Sequence, residues 1–183
     1  MILSLTAENS DHLADDEYLE ISSEKIQSIV DQIDEKSPKD IYDRIHKTLM
    51  KIDELMDYDL SMLASDSLNQ PIKASKIIER KSGVCGHYSL LATSLLRAQG
   101  IPTRIAGGYV ISSDPPEAHA WIEINVNGKN WVPIEPQAGV LLPLKNRIYV
   151  PLKTTSLRRD ENGNLMKGLF VPTRLSQLKI TPF

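Results

Sequence analysis

The sequence contains a single cysteine, Cys85, and this scarcity excludes an intramolecular disulfide. The four histidines are scattered and show no paired Cys/His spacing, so we expect no metal and no cofactor. The fold must therefore be held together by packing alone. With 183 residues, 41% of them hydrophobic, the chain is long enough for one well-buried core, and we expect a single domain over residues 1–183.

Long apolar runs are also missing from the sequence. No segment approaches the roughly 18 consecutive apolar residues that a membrane-spanning helix needs. The N-terminal segment turns acidic after a few residues, whereas a signal peptide has a basic start followed by a long apolar stretch. We therefore expect a cytoplasmic protein that has no membrane partner.

Basic residues are scarce in the first part of the chain, although the net charge is only −3. Residues 1–60 carry 16 acidic and 6 basic residues, whereas residues 61–183 carry 8 acidic and 15 basic residues. Acidic helices that are solvated, or that fold back on a more basic body, explain this pattern. The basic residues of the second part are dispersed and not clustered with aromatic residues, so no nucleic-acid partner is predicted.

The first part of the chain is predicted to be helical. Residues 1–20 lack sustained periodicity, and we interpret them as an acidic, partly ordered lead-in. Apolar residues at helical spacing predict a first helix over residues 23–36. Ser37–Pro38 is expected to end this helix and to open a second one, whose apolar stripe runs through residues 41–56.

Two further helices are expected before the pattern changes. Asn69–Pro71 has the residues of a cap and a first turn, and predicts a short helix that Gly83 terminates. A fourth helix should begin around Cys85 and continue to about Ala98. The front of the chain therefore consists of helices.

Beyond residue 100 the sequence changes to short segments rich in β-branched and aromatic residues. TRIAGGYVIS, HAWIEINV and KNWVPIEP are predicted strands separated by turn residues. We interpret residues 140–183 as a C-terminal β extension that begins with RIYVPLKT and has ENGN as a hairpin tip. Helices followed by strands predict an α+β fold, with N-terminal helices packed on an antiparallel β-sheet.

Cys85 lies where the fourth helix is predicted to begin. Free N–H groups and the helix dipole favour a thiolate at this position, and a thiolate is the nucleophilic form of cysteine. Gly83 and Gly86 flank it and leave space for a substrate backbone and for an oxyanion held by backbone N–H groups. Cysteine is also among the most frequently buried residues, and this stretch taken alone favours core packing.

A reactive thiol needs a base, which is normally a histidine. His87 follows Cys85 by two residues, or about 200° of helical rotation, so its ring should point away from the thiol. His119 is the better candidate. It begins the strand HAWIEINV, whose even-numbered positions are apolar and form the core face, so His119 should lie on the other face.

The pairing of the next strand selects a carboxylate for this histidine. A three-residue loop over residues 126–128, with its glycine in the left-handed conformation, sorts the apolar residues of both strands onto one face. This register places Ile122 opposite Val132 and His119 opposite Glu135. If Cys85 is not considered, the alternative interpretation is an ordinary His/Glu pair on the protein surface.

The blocks GVCGHYSLLATSLLRAQGIPTRIAGGYV, AHAWIEI and WVPIEP occur in this order within residues 74–136 and resemble the transglutaminase-like core superfamily. That family has a papain-like fold with a cysteine at a helix start and a histidine and an aspartate on neighbouring strands. The resemblance implies that Cys85 is the nucleophile and His119 the general base and acid. Glu135 occupies the aspartate position of a W-x-P-x-D-P pattern.

The glutamate departs from the family pattern. Its extra methylene has to be accommodated by a shifted backbone or a bent rotamer if Glu135 is to orient the imidazole. Gln137 and Asp114 are alternative orienting groups. No calcium-binding features like those of the large animal transglutaminases are visible in the sequence.

The resemblance implies a cysteine-dependent enzyme that cleaves an amide of a peptide or protein through a thioester, as a peptidase, amidase or deamidase. Acyl transfer from glutamine to an amine, as in a transglutaminase, is the first alternative. A binding module that keeps the fold without turnover is the second. A metal site formed by Cys85, His87 and His119 is the weakest hypothesis, because no fourth spaced ligand is present. The oligomeric state is left open.

Overall fold

The computed structural model describes residues 10–64, 72–111, 116–128, 130–139 and 148–155. Four α-helices lie wholly within these residues, namely α1 (Glu24–Glu35), α2 (Ile41–Leu55), α3 (Ala74–Arg80) and α4 (Cys85–Ala98), with short 3₁₀ turns at Leu60–Ala64 and Pro136–Ala138. None of the described helices combines the length and the apolar composition that crossing a bilayer requires.

The first two helices begin at polar caps. The Ser23 side chain accepts a hydrogen bond from the first turn of α1, close to the predicted start. The prediction that Ser37–Pro38 opens the second helix is wrong, because α2 begins only after Asp40. The Asp40 carboxylate accepts from the Asp43 N–H at 2.8 Å, so this aspartate caps the helix and the proline lies in the linker.

The third helix ends differently from the prediction. Lys81 closes α3 in the left-handed conformation, with φ of 58°, so Gly83 does not terminate the helix. Gly83 instead lies in a short strand, where a Cβ atom would come within 2.6 Å of the His87 Cβ atom. The predicted cap at Asn69–Pro71 lies outside the described residues.

Helix α4 has the predicted bounds and lies at the centre of the core. All of its residues from Gly86 to Arg97 are buried, and its apolar side chains pack with those of the other helices and of the sheet. The buried Arg97 guanidinium donates to the Thr103 carbonyl at 2.7 and 2.9 Å and to the Ala14 carbonyl at 2.9 Å. The end of α4 is thus joined to the sheet and to the acidic lead-in.

In the described part of the chain, the main sheet has four strands in the order β5–β4–β3–β6, and every neighbouring pair is antiparallel. The strands are β3 (Thr103–Val110), β4 (Glu117–Ile124), β5 (Val132–Ile134) and β6 (Tyr149–Thr155). The predicted α+β fold class is confirmed, and β6 adds the first part of the C-terminal extension to the sheet. The predicted ENGN hairpin lies outside the described residues.

Two short strands precede the main sheet and were not predicted. They are β1 (Asp57–Tyr58) and β2 (Ser82–Gly83), which pair in parallel. At two residues each, they are too short to produce a periodic pattern in the sequence. Their pairing joins the segment after α2 to the segment that leads into α4.

The register of β4 and β5 differs from the prediction by two residues. Ile122 pairs with Ile134, and Val132 pairs with Ile124. The connection is longer than three residues because Asn125 leaves the ladder: its N–H donates to the Pro102 carbonyl at 2.9 Å, and its side chain accepts from Gly128. A shift of two residues keeps every side chain on its predicted face, since side chains alternate along a strand.

Candidate active site

Cys85 is the first residue of α4 and is partly accessible to solvent. The preceding residue, Val84, provides no side-chain cap for the helix. The Val84 carbonyl accepts from the N–H groups of His87 and Tyr88 at 2.8 and 3.1 Å, which closes the first turn. The thiol therefore lies at the positive end of a 14-residue helix.

His87 is buried near Cys85, and its ring forms a hydrogen bond with the backbone at the start of α4. Its Nδ1 atom accepts from the Val84 N–H at 3.1 Å. Burial, together with the positive charge of Arg80, lowers the pKa of His87 to about 4. This histidine is therefore a neutral cap for α4, as expected for a residue whose ring is not directed at the thiol.

His119 and Glu135 form a close, buried pair. The His119 Nε2 atom lies 2.6 Å from the Glu135 Oε2 atom, and the two side chains are 10% and 2% exposed. Continuing the observed register places Glu135 opposite Trp121, so the contact with His119 runs diagonally across the two strands. Diagonal neighbours on two paired strands lie about 7–8 Å apart, and a long side chain is better able to cross this distance. The extra methylene of the glutamate is thus accommodated by the shifted register.

The other side of the imidazole interacts with the nucleophile candidate. Because Nε2 contacts Glu135, Nδ1 is the ring nitrogen left to interact with the Cys85 thiol. Burial lowers the pKa of His119, but its hydrogen bonds with Cys85 and Glu135 and their negative charges outweigh this effect and raise the pKa to about 9. The imidazole is consequently protonated at neutral pH.

Two further groups hold the Glu135 carboxyl group in place. The Tyr149 hydroxyl donates to Oε2 at 3.1 Å, and the Gln137 backbone N–H donates to Oε1 at 3.4 Å. Gln137 thus supports Glu135 through its backbone and does not replace it as the partner of His119. Asp114, the other alternative, lies outside the described residues.

Tyr149 was missed by the sequence analysis, although a glycine pair in β3 provides a signal for it. Gly108 pairs with His119 on one side and with Pro151 of β6 on the other, where the ladder is irregular. A Cβ atom at Gly108 would lie 2.0 Å from the Val150 carbonyl oxygen. A glycine inside a strand often marks such a close approach of another backbone, and here it brings Tyr149 near the histidine.

Aromatic rings cover the His119 side of the sheet. The Trp121 ring is stacked with that of His119 at a centroid distance of 6.4 Å and meets Tyr149 edge-on at 5.2 Å. Trp121 is only 1% exposed, although it lies on the face opposite the apolar even-numbered positions of β4. The low polarity around the imidazole strengthens its hydrogen bond with the Glu135 carboxyl group.

Among the described residues, no group of three or more His, Cys, Asp or Glu side chains is arranged to hold a metal ion. In that part of the chain, the site consists of the Cys85 thiol, the His119 imidazole and the Glu135 carboxyl group, and the imidazole connects the other two. This order of groups can activate a nucleophile and shuttle a proton. The catalytic roles of Cys85, His119 and Glu135 stay a prediction.

Part of the chain is similar to a curated protein. The chain is 31% identical over 70 residues to a Pseudomonas aeruginosa PAO1 protein named "Protein-glutamine gamma-glutamyltransferase". The match covers 33% of this chain and 10% of that protein. The similarity therefore concerns one small part of a much longer relative.

Two solved structures share the fold. One is "a Putative Cysteine Protease from Cytophaga hutchinsonii", with a TM-score of 0.62, 24% identity, and coverage of 84% of this chain and 48% of that one. The other is the periplasmic domain of TgpA from Pseudomonas aeruginosa, with a TM-score of 0.56, 19% identity, and coverage of 74% and 49%. This chain spans about half the length of each structure.

A model of the transglutaminase-like superfamily matches residues 27–136, more than half of the chain. The matched region begins in α1 and ends just after β5, so it contains Cys85, His119 and Glu135. This match agrees with the shared fold of the two solved structures and with the order of the sequence blocks. The chain belongs to the transglutaminase-like superfamily.

Proposed function

We propose that this chain is a cysteine-dependent enzyme that cleaves an amide bond of a peptide or protein through a thioester on Cys85. The observation that carries the proposal is the buried contact of 2.6 Å between His119 Nε2 and Glu135 Oε2, on an imidazole whose pKa the Cys85 thiol also raises. Membership of a superfamily that includes thiol enzymes supports it. Glu135 takes the orienting role in a Cys–His–Glu triad.

The first half of the proposed reaction forms the acyl-enzyme. Cys85 Sγ, as the thiolate beside the protonated His119, attacks the amide carbonyl carbon, and the carbonyl π electrons move to the oxygen. Backbone N–H groups at the start of α4 stabilise the resulting oxyanion. When the C–N bond breaks, His119 gives its proton to the leaving amine, and a thioester remains on Cys85.

The second half of the proposed reaction restores the enzyme. His119, now neutral, takes a proton from an attacking water molecule, whose oxygen adds to the thioester carbonyl. The C–S bond then breaks, and the thiolate leaves beside an imidazolium again. Glu135 keeps the same ring orientation in both halves, because its carboxyl group is held by Tyr149 and by the Gln137 backbone.

Acyl transfer to an amine is the second candidate function, and it differs only in the group that attacks the thioester. The similarity to a protein named "Protein-glutamine gamma-glutamyltransferase" favours it, whereas the name of the Cytophaga structure favours hydrolysis. We favour hydrolysis as the proposed reaction. The close pairing of His119 and Glu135 supports both enzymatic functions over a binding module, which has no need of an oriented imidazole.

Trapping the acyl-enzyme tests the proposal. The wild type and Cys85→Ser are incubated with a mixed peptide library, with and without a primary amine, and intact masses and products are measured. We expect an adduct on Cys85 in the wild type, free acids as products, and no thioester in Cys85→Ser. Products that carry the amine would favour acyl transfer.

Alkylation by iodoacetamide gives an independent test that needs no substrate. We expect Cys85 in the folded protein to react at pH 6–7, where a free thiol is largely unreactive, and to lose this reactivity in His119→Ala. His87→Gln serves as the matched control, since it changes the other histidine beside the thiol, and should retain the reactivity. A thiol that alkylates only after unfolding would exclude the proposed function.

A further inference from the structure

Strand β4 passes from solvent into the protein at the candidate active site. Its first two residues, Glu117 and Ala118, are exposed, whereas the residues from His119 onward are half-buried or buried. His119 is therefore the first covered residue of the strand. The sheet is open to solvent on the Glu117 side of the imidazole.

The pairing of the strands places Glu117 on the same face of the sheet as the imidazole. Glu117 pairs with Val110 and His119 pairs with Gly108, and the ladder between β3 and β4 is regular over these residues. Side chains alternate along a strand, and two residues advance it by about 7 Å. The carboxylate of Glu117 thus starts one same-face position away from His119, towards the solvent.

The charge of Glu117 reaches the space around the thiol. Burial and nearby negative charges raise the pKa of Tyr58 to about 12. The charges are those of Cys85, Glu135 and Glu117, in decreasing order of effect. Tyr58 lies next to the start of α4, since it pairs with Gly83. Glu117 therefore faces the same space as the thiol, from the side of the sheet.

This carboxylate has no counter-charge within the described part of the chain. Glu123, on the same face of β4, forms an ion pair with Arg104 at 2.7 Å. Glu117 forms no such pair with any residue that the structure describes. An exposed carboxylate of this kind can form a charge-assisted hydrogen bond with a cationic group of a bound molecule.

We propose that Glu117 selects substrates that carry a lysine or an arginine next to the amide that Cys85 attacks. The inference rests on the proposed function and names the class of its substrate. Lysine and arginine have long stems, so their cationic groups can reach Glu117 from an extended peptide whose carbonyl lies at the thiol. The ligand is an organic cation, because the described residues contain no group of three or more side chains arranged to hold a metal ion.

Peptide cleavage tests the preference directly. Three peptides differ only in one residue next to the scissile amide, which is lysine, norleucine or glutamate, and a second series varies the residue on the other side of the amide. kcat/KM is measured for the wild type, Glu117→Gln and Glu117→Lys. Glu35→Gln, which removes an exposed carboxylate at the end of α1, is the matched control.

A second measurement needs no turnover. A cationic and an anionic methanethiosulfonate, with a trimethylammonium or a sulfonate group, each form a mixed disulfide with Cys85 and release methanesulfinate. Their rates are followed by mass spectrometry and divided by the rates with 2-mercaptoethanol. The ratio of the two corrected rates reports the charge that a molecule meets on its way to the thiol.

We expect the wild type to prefer the lysine peptide of one series to the glutamate peptide by about tenfold, and Glu117→Gln to reduce this ratio by about threefold to tenfold. Glu117→Lys should reverse the preference, which an unfolded variant would not show. The ratio of the methanethiosulfonate rates should fall by a similar factor in Glu117→Gln and should also fall in high salt. Glu35→Gln should change neither ratio.

Two results would overturn the inference. An unchanged ratio of lysine to glutamate peptides in Glu117→Gln would show that the carboxylate does not contact the substrate. An equal loss on all three peptides would show that Glu117 acts on the thiol or on the fold. If the wild type cleaves no peptide, the proposed function fails; the charge selection then stands if the methanethiosulfonate ratio depends on Glu117 and is overturned if it does not.

Discussion

The two histidines beside Cys85 lie in contrasting surroundings. His87 is in the first turn of α4, where it accepts a hydrogen bond from a backbone N–H, and its pKa falls to about 4. His119 is in β4 between a thiol and a carboxyl group, and its pKa rises to about 9. Both rings are largely buried, so burial alone does not explain the difference.

The partners of each ring decide its charge. Burial disfavours the charged form of both histidines, and the nearby Arg80 strengthens this effect at His87. At His119, Cys85 and Glu135 stabilise the charged imidazole by more than burial destabilises it, so the pKa rises. Of the two histidines near the thiol, one is thus a structural cap and the other is suited to proton transfer.

The largest expected effect separates these two roles. His119→Ala should reduce the rate of acyl-enzyme formation by about 10³-fold, because general acid–base catalysis by one side chain contributes roughly 10²–10⁴-fold. His87→Gln should reduce it by less than about tenfold, since glutamine also provides an acceptor for the N-cap N–H. The measurement is the acylation rate of Cys85 by 4-nitrophenyl acetate. Equal losses in the two variants would contradict the assignment of the base.

The carboxyl partner of His119 is tested by a smaller change. Glu135→Gln keeps the shape of the side chain but removes its charge, and should reduce acylation by about 10²-fold because the imidazolium loses its counter-charge. Tyr149→Phe removes only one donor to this carboxyl group, and we expect a loss of less than about tenfold. Single-turnover rates at Cys85 measure both. A larger loss in Tyr149→Phe than in Glu135→Gln would reverse the proposed order.

The packing that brings Tyr149 to the site is tested at Gly108. Gly108→Ala places a Cβ atom 2.0 Å from the Val150 carbonyl oxygen, so β6 has to move, and we expect a loss of about 2–3 kcal/mol in the free energy of unfolding. Gly100→Ala is the matched control: it has open space but a φ of 75°, and should cost about 1 kcal/mol. Urea denaturation compares the two. Equal costs would show that β6 adapts without strain.

Because His87 is neutral in the folded protein, we expect the protein to lose stability in acid. Because the folded-state pKa of His87 lies below that of the unfolded chain, only the unfolded chain takes up this proton between about pH 6.5 and about 4. The fold should lose roughly 3 kcal/mol over that range on account of His87. Urea denaturation of His87→Gln should show a smaller decrease than the wild type between these pH values. Parallel curves would show that His87 does not resist protonation.

The sequence was sufficient to predict the approximate positions of the helices and the shared face of His119 and Glu135, because both follow from local periodicity. Helix α4 begins and ends where the apolar spacing and the glycine signals indicated. His119 and Glu135 share a face because side chains alternate along strands, and alternation survives a register shift of two residues.

The parts that the sequence could not predict depend on contacts between distant segments. The register of β5 was set by Asn125, whose N–H bonds to Pro102 and whose side chain bonds to Gly128, and no periodicity reports such bonds. Tyr149 reaches Glu135 only because β6 closes against Gly108. Tyr58 likewise comes to lie beside Gly83 only through a two-residue parallel pairing.

The proton titration of the two histidines, followed by NMR in the wild type and in Cys85→Ser, tests the central claim most directly. We expect His119 to titrate near pH 9 in the wild type and at a lower pH without the thiol, because one of the groups that stabilise its charged form is removed. His87 should stay neutral down to about pH 5 in both proteins. Titration of both histidines near pH 6.5, unchanged in Cys85→Ser, would contradict a coupled thiol, imidazole and carboxyl group.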